Sequence, residues 1–333
     1  MSTIFPTQYS TLSSKHLGKY IGEKYGFTEV LCTFLLRGVS DTYVIEHSEG
    51  KAILKIYRDS HRSLDEIQGE VELLAILKSE GGKVAEALID LEGNTIQSFQ
   101  AAEGIRNGVV FRYALGKNVY DFTDEQLEVL GREMAFNHLI TSQVELSYPR
   151  QEYTIETTID RPLEVLKPFL KDFQEEYEYL LETAGRVKEK MESYDLQSFS
   201  YGYCHYDYLP KNFHFDEHNT ITVFDYDFAG KGLLMNDIMT FMMHYFFHTT
   251  LNRISYEEGD QHFTLFIESY RKVKAVSDQE LELMPYLGFG FWLFYLGFQC
   301  ENFDDWSNTF FSSRYLQDRI SVIKKYMGRY CSL

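Results

Sequence analysis

His205, Asp207 and Asn212 stand in the spacing H-x-D-x-x-x-x-N, inside the stretch YCHYDYLPKNFHFDEHNTITVFDYDFAG that spans residues 203–230. Two short apolar runs, 213–215 and 221–224, flank the polar turn Asp216-Glu217-His218-Asn219, the pattern of a β-hairpin. A hairpin brings its open ends together. Asn212 enters the first strand and Asp225 leaves the second, so the two should meet, with Asp207 on the loop just upstream. Oxygen-bearing side chains in that arrangement suit a hard cation such as Mg2+. They also suit a reaction in which a carboxylate orients a hydroxyl toward a metal-bound phosphate. The spacing alone equally fits a loop with a capping Asp and a turn Asn. The acidic pair Asp225 and Asp227 after an apolar strand favours chemistry, because carboxylates there are costly without partners. The reading is Asp207 as general base and Asn212 and Asp225 as metal ligands, supported by Asp227 and by His205, which braces the loop.

A second chemical pattern lies upstream. In KAILKIY, residues 51–57, Ala52, Leu54 and Ile56 share one strand face and Ile53, Lys55 and Tyr57 the other. A lysine among apolar neighbours needs an anion, unless it snorkels at a sheet edge. The following helix offers one. Ser63 and Glu66 form a possible capping box, and Leu64, Ile67, Val71, Leu74 and Leu77 make its buried stripe. Glu70 lies on the flank of that stripe, where it can face Lys55; a strand lysine paired with a helix glutamate can hold nucleotide phosphates. The turn Arg37-Gly38-Val39-Ser40-Asp41 can present backbone N–H groups and the Ser40 hydroxyl to phosphates, or be an ordinary hairpin turn. Arg112, Tyr113 and Ala114 lie at the end of a strand that crosses out of the first lobe, where main-chain groups can meet an adenine edge.

The elements that must position these residues read in order. A helix covers 15–26. Strands are expected at 29–36, 42–46, 51–57, 84–89, 95–100 and 108–115. After Gly116-Lys117-Asn118 the chain turns helical, with helices at 123–140, through 161–194, and at 236–251, 256–274, 278–303 and 312–330. This is an α+β chain with a small antiparallel-sheet lobe over 1–115, the nucleotide side, and a larger, mainly helical lobe over 116–333, the catalytic and acceptor side. His138 reads as a hydrogen-bonded core histidine, and Asp237 as a cap or a structural partner of the loop. His244 and His248 have i, i+4 spacing, but a zinc hydrolase helix would carry a glutamate where this chain has Tyr245.

Composition narrows the function classes. With 32 basic and 50 acidic residues among 333, the net charge of −18 disfavours a nucleic-acid surface. It is compatible with a cationic substrate, as are the 25 Tyr and 26 Phe, which could equally be core. Cys32, Cys204, Cys300 and Cys331 are far apart, without zinc or disulfide spacing, and the start of the chain does not read as a signal peptide; a reducing cytoplasm is expected. The uncharged run 284–300 is interrupted by three glycines and reads as a buried helix, so no membrane is expected. The chain has no G-x-x-x-x-G-K-[ST], which excludes a P-loop.

HYDYLPKN, VFDYDFAG and NDIMTF in this order resemble the motifs of the aminoglycoside phosphotransferase and choline kinase superfamily. LRGVSDTYVI, ILKIYR, EIQGEVELLAIL and LGREMAFNHL match its upstream segments, so the resemblance spans roughly residues 15–325. It implies a two-lobed protein-kinase-like fold and transfer of the γ-phosphate of ATP, with Mg2+, to a hydroxyl of a small acceptor. It also implies Asp207 as catalytic base, Asn212 and Asp225 as metal ligands, Lys55 as phosphate-binding lysine and Glu70 as its partner. Tyr206 departs from the glycine usual after the histidine, and the phosphate loop has one glycine. An amine-bearing acceptor of aminoglycoside, homoserine or choline type is the expectation. The alternatives are a stress-response-type Ser/Thr protein kinase and a nucleotide-binding pseudokinase. The oligomeric state is left open.

Overall fold

The computed structural model describes residues 6–303 and 310–332. The chain divides into two compact units. One runs to Leu115 and includes Leu146–Pro149; the other comprises Gly116–Glu145 and the chain from Arg150 onward.

In unit one, helix α1 (Ser14–Tyr25) precedes strands β1 (Leu31–Arg37), β2 (Ser40–His47) and β3 (Gly50–Tyr57). Helix α2 (Leu64–Ser79) and strands β4 (Ile96–Gln100) and β5 (Ile105–Arg112) follow. The strands form one antiparallel sheet in the order β1-β2-β3-β5-β4, with Lys55 opposite Thr42 on one side and Val109 on the other. The β3 alternation holds. Ala52, Leu54 and Ile56 are fully buried in a core with Leu17, Ile21 and Tyr25 of α1, while Tyr57 on the opposite face reaches Glu70 of α2. The capping box of Ser63 and Glu66 starts α2. Arg106, almost wholly buried, binds Asp41 Oδ2 at 2.8 Å and the carbonyls of Ile56 and Tyr57 at 3.2 Å. That network ties β2, β3 and β5 together with its charges paired.

The expected strand at 84–89 is absent. Val84 and Ala87 are isolated bridge residues; Ala87 pairs with Phe111, flanked by Leu88 N–H to the Val110 carbonyl and Arg112 N–H to the Glu86 carbonyl. β4 pairs with β5 only as far as Val109. β5 ends at Arg112, so only a short edge remains for this segment.

Unit two contains helices α3 (Asp124–Thr141), α4 (Arg161–Leu166), α5 (Gln174–Glu192), α6 (Met235–Thr250), α7 (Tyr256–Arg271), α8 (Asp278–Asn302) and α9 (Ser313–Tyr330). Two small ribbons lie among them: β6 (Tyr201–Cys204) with β9 (Gly230–Leu233), and β7 (Phe213–Phe215) with β8 (Ile221–Val223). Thr123 and Gln126 cap α3 with a reciprocal box. The helical stretch expected across 161–194 consists of the two helices α4 and α5, and α4 ends where Pro168 has no N–H to continue it. α8 is long and apolar enough to cross a membrane by length and composition, yet 61% of its most apolar window is buried. It packs against α4, α5, α6 and α9.

Candidate active site

β6 ends at Cys204 and hands the chain to the 205–212 loop. Tyr206 has φ 63°, the left-handed region where glycine sits at no steric cost. This explains why glycine is usual at the position. Here the ring is buried instead, stacked on Tyr153 at 3.4 Å between centroids and edge-on to Phe294. Asp237, in the first turn of α6, holds the loop by its main chain: Oδ2 accepts the His205 N–H at 2.9 Å and Oδ1 the Tyr206 N–H at 2.7 Å. Its Oδ2 also accepts from His138 Nε2 at 3.0 Å, and His138 Nδ1 meets the Tyr270 hydroxyl at 2.8 Å. Thr240 Oγ1 accepts the Tyr208 N–H at 3.1 Å. Helices α3, α6 and α7 thus all contribute to fixing one loop.

His205 joins the loop to the far end of the hairpin. Its Nδ1 accepts the Asp207 N–H at 3.2 Å, so its Nε2–H donates to the Phe224 carbonyl at 2.9 Å. The hairpin closes as expected, with Phe213 opposite Val223 and the Phe224 N–H donating to the Asn212 carbonyl at 2.9 Å. Asn212 and Asp225 therefore lie at adjoining ends. Asn212 Nδ2 donates to the Asp207 carbonyl and to Asp207 Oδ2, both at 2.8 Å. Lys211 Nζ approaches the same Oδ2 at 2.7 Å. The Lys211 side chain is half-exposed; partial desolvation works against its charge, but the neighbouring Asp207 and, more weakly, Asp225 and Tyr120 raise its pKa above the ordinary lysine value. Asp207 is buried and its Oδ1 takes no hydrogen bond among the described residues. The Tyr295 phenol lies near enough that burial first, and the Asp207 charge second, push its pKa well up, although its hydroxyl makes no hydrogen bond of ordinary length.

Asp225 is exposed and left-handed, with φ 63° and ψ 60°, and it opens a short 3-10 turn, Tyr226–Phe228. Asp227 is buried. Arg150, also buried, donates to the main-chain carbonyls of Tyr226, Asp227 and Ala229 and so fixes this turn. On the other side of the hairpin, Lys117 exchanges main-chain hydrogen bonds with Phe215, and Asn118 Nδ2 donates to the Pro210 carbonyl at 2.8 Å. Gly116 makes this docking possible. Its φ is 90°, and a Cβ there would fall 2.1 Å from the Phe215 carbonyl oxygen.

In unit one the Tyr57 hydroxyl donates to Glu70 Oε2 at 3.0 Å, and Lys55 Nζ lies 5.1 Å from the centre of the Tyr57 ring. Both Lys55 and Glu70 are buried. Ser40 is buried with its hydroxyl making no hydrogen bond among the described residues. Arg112 remains within β5, with its N–H committed to Glu86; Tyr113 and Ala114 follow the strand.

The donor set fits a hard cation. Asn212 spends its amide nitrogen on Asp207, which leaves the carbonyl oxygen as its ligand atom, and Asp225 supplies an exposed carboxylate. No cluster of three or more His, Cys, Asp or Glu able to hold a metal occurs among the described residues. Mg2+ is commonly held by one or two side chains, with phosphates and water completing its shell. The His244–His248 pair is another matter. The rings are 4.0 Å apart, and burial, then the neighbouring His248, depress the His244 pKa to about 3.

Four residues of this region carry no signal in the sequence as read above: Lys211, Asn118, Arg150 and Tyr295. Asn118 and Arg150 bind main-chain carbonyls, which leave no side-chain pattern to match. Tyr295 is one aromatic among many. Lys211 is within the loop motif but at one of its unspecified positions.

Residues 32–274 match the model of the phosphotransferase enzyme family. Over 275 residues the chain is 26% identical to amicoumacin kinase of Bacillus subtilis, covering 79% of this chain and 77% of that one. Among solved structures, an amicoumacin kinase in complex with AMP-PNP, Ca2+ and Ami superposes with a TM-score of 0.72 at 22% identity, covering 96% of this chain and 94% of that one. A microcompartment-associated aminopropanol kinase gives 0.75 at 18% identity, covering 94% and 98%. The sheet and helices described above are thus a protein-kinase-like fold, and the enzyme class is phosphotransferase. The chain belongs to the phosphotransferase enzyme family.

Proposed function

We propose that this enzyme transfers the γ-phosphoryl group of ATP to a hydroxyl of a small, amine-bearing acceptor. The carrying observation is the Asp207 carboxylate, buried, with Oδ2 held by Asn212 and Lys211 and Oδ1 without a hydrogen bond. In this reading Oδ1 receives the acceptor hydroxyl. The P–O bond to the β-phosphate breaks with its electron pair remaining on ADP, the acceptor oxygen bonds to phosphorus, and the hydroxyl proton passes to Asp207. Asn212 and Asp225 would hold Mg2+, which supplies charge neutralisation to the phosphates when bound. Lys55, oriented through Glu70 and Tyr57, binds phosphate oxygens. The Ser40 turn and the main chain at Tyr113 and Ala114 receive the rest of the nucleotide. Support for ATP comes from the AMP-PNP in the amicoumacin kinase neighbour.

The acceptor class rests on three things. The chain carries a net charge of −18. Phe228, Phe294, Tyr295 and Phe298 are half-buried and in mutual ring contact, with Tyr295 beside Asp207, so they offer aromatic faces to a cation. Two similar enzymes are named for amicoumacin and aminopropanol.

The test is steady-state transfer from Mg-ATP to a panel of amino alcohols and aminoglycosides, with generic proteins alongside, for wild type and Asp207→Asn. Asp207→Asn should lower kcat by about 10²–10⁴-fold with ATP affinity nearly unchanged, because only the proton acceptor is lost. Equal turnover by the variant would remove Asp207 from the chemistry. Nucleotide binding without turnover on any acceptor would favour a pseudokinase.

A further inference from the structure

Lys211 is the one cation placed directly against Asp207 among the contacts described above, and the preceding mechanism gives it no part beyond holding Oδ2. Its ammonium lies 2.7 Å from Asp207 Oδ2, yet its side chain is 54% exposed while that of Asp207 is 4% exposed. The bland role is a pin that holds the carboxylate still. Asn212 already does that, with two hydrogen bonds of 2.8 Å, one of them to the same Oδ2. Removing Lys211 from Oδ2 would leave this oxygen satisfied and the carboxylate in place. A pin is redundant here; a mobile cation is not.

Resting on the phosphotransfer reading, we propose that Lys211 is a catalytic residue that leaves Asp207 Oδ2 and contacts the phosphoryl group in flight. The transferring group must stand between the hydroxyl oriented by Asp207 and the phosphates, and the Lys211 ammonium lies 2.7 Å from Asp207 at the start of that path, one residue before Asn212. The Asp207 carboxylate would repel an incoming triphosphate, and a cation beside it offsets that. The transition state is loose, with its charge spread over three equatorial oxygens. An ammonium on a flexible stem, with three rotatable donors, can follow such a group as it moves. Lys211 stays protonated throughout. The proton from the acceptor goes to Asp207 Oδ1, and the electron pair of the broken P–O bond stays on ADP.

The test separates phosphoryl contact from structure. Mg-ADP is titrated calorimetrically into wild type, Lys211→Met and Lys211→Arg, with and without aluminium fluoride, whose planar species stands in for the transferring group. Thermal melts of all three are recorded. The expected result is Mg-ADP affinity within about threefold across the set, and fluoroaluminate trapping weakened about 100-fold in Lys211→Met, the scale for losing one donor to developing charge. Lys211→Arg should recover part of the trapping. Trapping by Lys211→Met as tight as wild type overturns the inference. So does parallel loss of Mg-ADP binding, trapping and melting temperature in both variants, which would make Lys211 structural. If wild type itself binds no Mg-ADP, the phosphotransfer reading fails first and this inference falls with it.

Discussion

Lys55 and Glu70 are joined through Tyr57, whose hydroxyl donates to the glutamate and whose ring lies under the lysine ammonium. Two buried, opposite charges on one aromatic residue should not respond independently to mutation. Lys55→Ala is expected to raise the KM for ATP and lower kcat while the fold survives. In a double-mutant cycle with Glu70→Ala the coupling should be about 0.5–3 kcal/mol. Kinetics of the four proteins give the answer; strict additivity would mean that the two charges do not cooperate. Tyr206 shows a different residue-scale balance. A side chain in the left-handed region costs about 1–2 kcal/mol. Here it is offset by burying a whole ring against Tyr153, Phe291 and Phe294. The glycine of the family pattern and the tyrosine of this chain are two answers to one backbone conformation.

The first turn of α6 is the element on which the loop rests. Asp237 accepts two consecutive main-chain N–H groups and the His138 imidazole, and all of these groups are buried. Asp237→Ala would leave three donors without an acceptor, at a cost of about 2–5 kcal/mol. Urea titration should show a lower midpoint with an unchanged m-value, and kcat should fall because His205 and Asp207 lose their support. A variant as stable as wild type would show that water or a neighbouring group replaces the carboxylate. The hairpin depends on its neighbours in the same way. Its strands are only three residues long each. A two-stranded ribbon of that size is not stable alone; the hydrogen bonds from Lys117 and Asn118 and the packing of Phe122 on Phe213 and Phe215 hold it.

At the scale of the whole molecule, acid stability should carry a signature of buried histidine. His244 has its pKa lowered from 6.5 to about 3, by burial first and then by His248. Below the ordinary value the unfolded chain takes up a proton at this residue and the folded chain does not. The unfolded state then binds more protons, so this group's contribution is lost as pH falls from about 6.5 toward 3. His244→Phe, placed among Phe122 and Phe241, should flatten the dependence of unfolding free energy on pH across that window. Urea melts at about pH 7, 5 and 4 check it; an unchanged slope would show that His244 gains a proton without unfolding.

The sequence by itself determined the hairpin with Asn212 and Asp225 at its adjoining ends, the α+β class, the β3 alternation that sets Lys55 opposite the core, and the capping box of Ser63 and Glu66. These are local. They depend on spacing, on periods of two and 3.6, and on side chains that must satisfy groups three residues away. The tertiary structure decided what local rules cannot reach. Residues 84–89 form isolated bridges and no strand, since only a short edge of β5 is left beyond its pairing with β4. The stretch 161–194 is broken at Pro168, a boundary that was present in the sequence and outweighed there by the helical pattern around it. Arg150 and Asn118 act on main-chain carbonyls distant in sequence, and carbonyl groups are the same in every residue. Which oxygen of Asp207 is held, and which makes no hydrogen bond, is a matter of ångströms between Asn212, Lys211 and Tyr295, set only when α6, α8 and the hairpin pack.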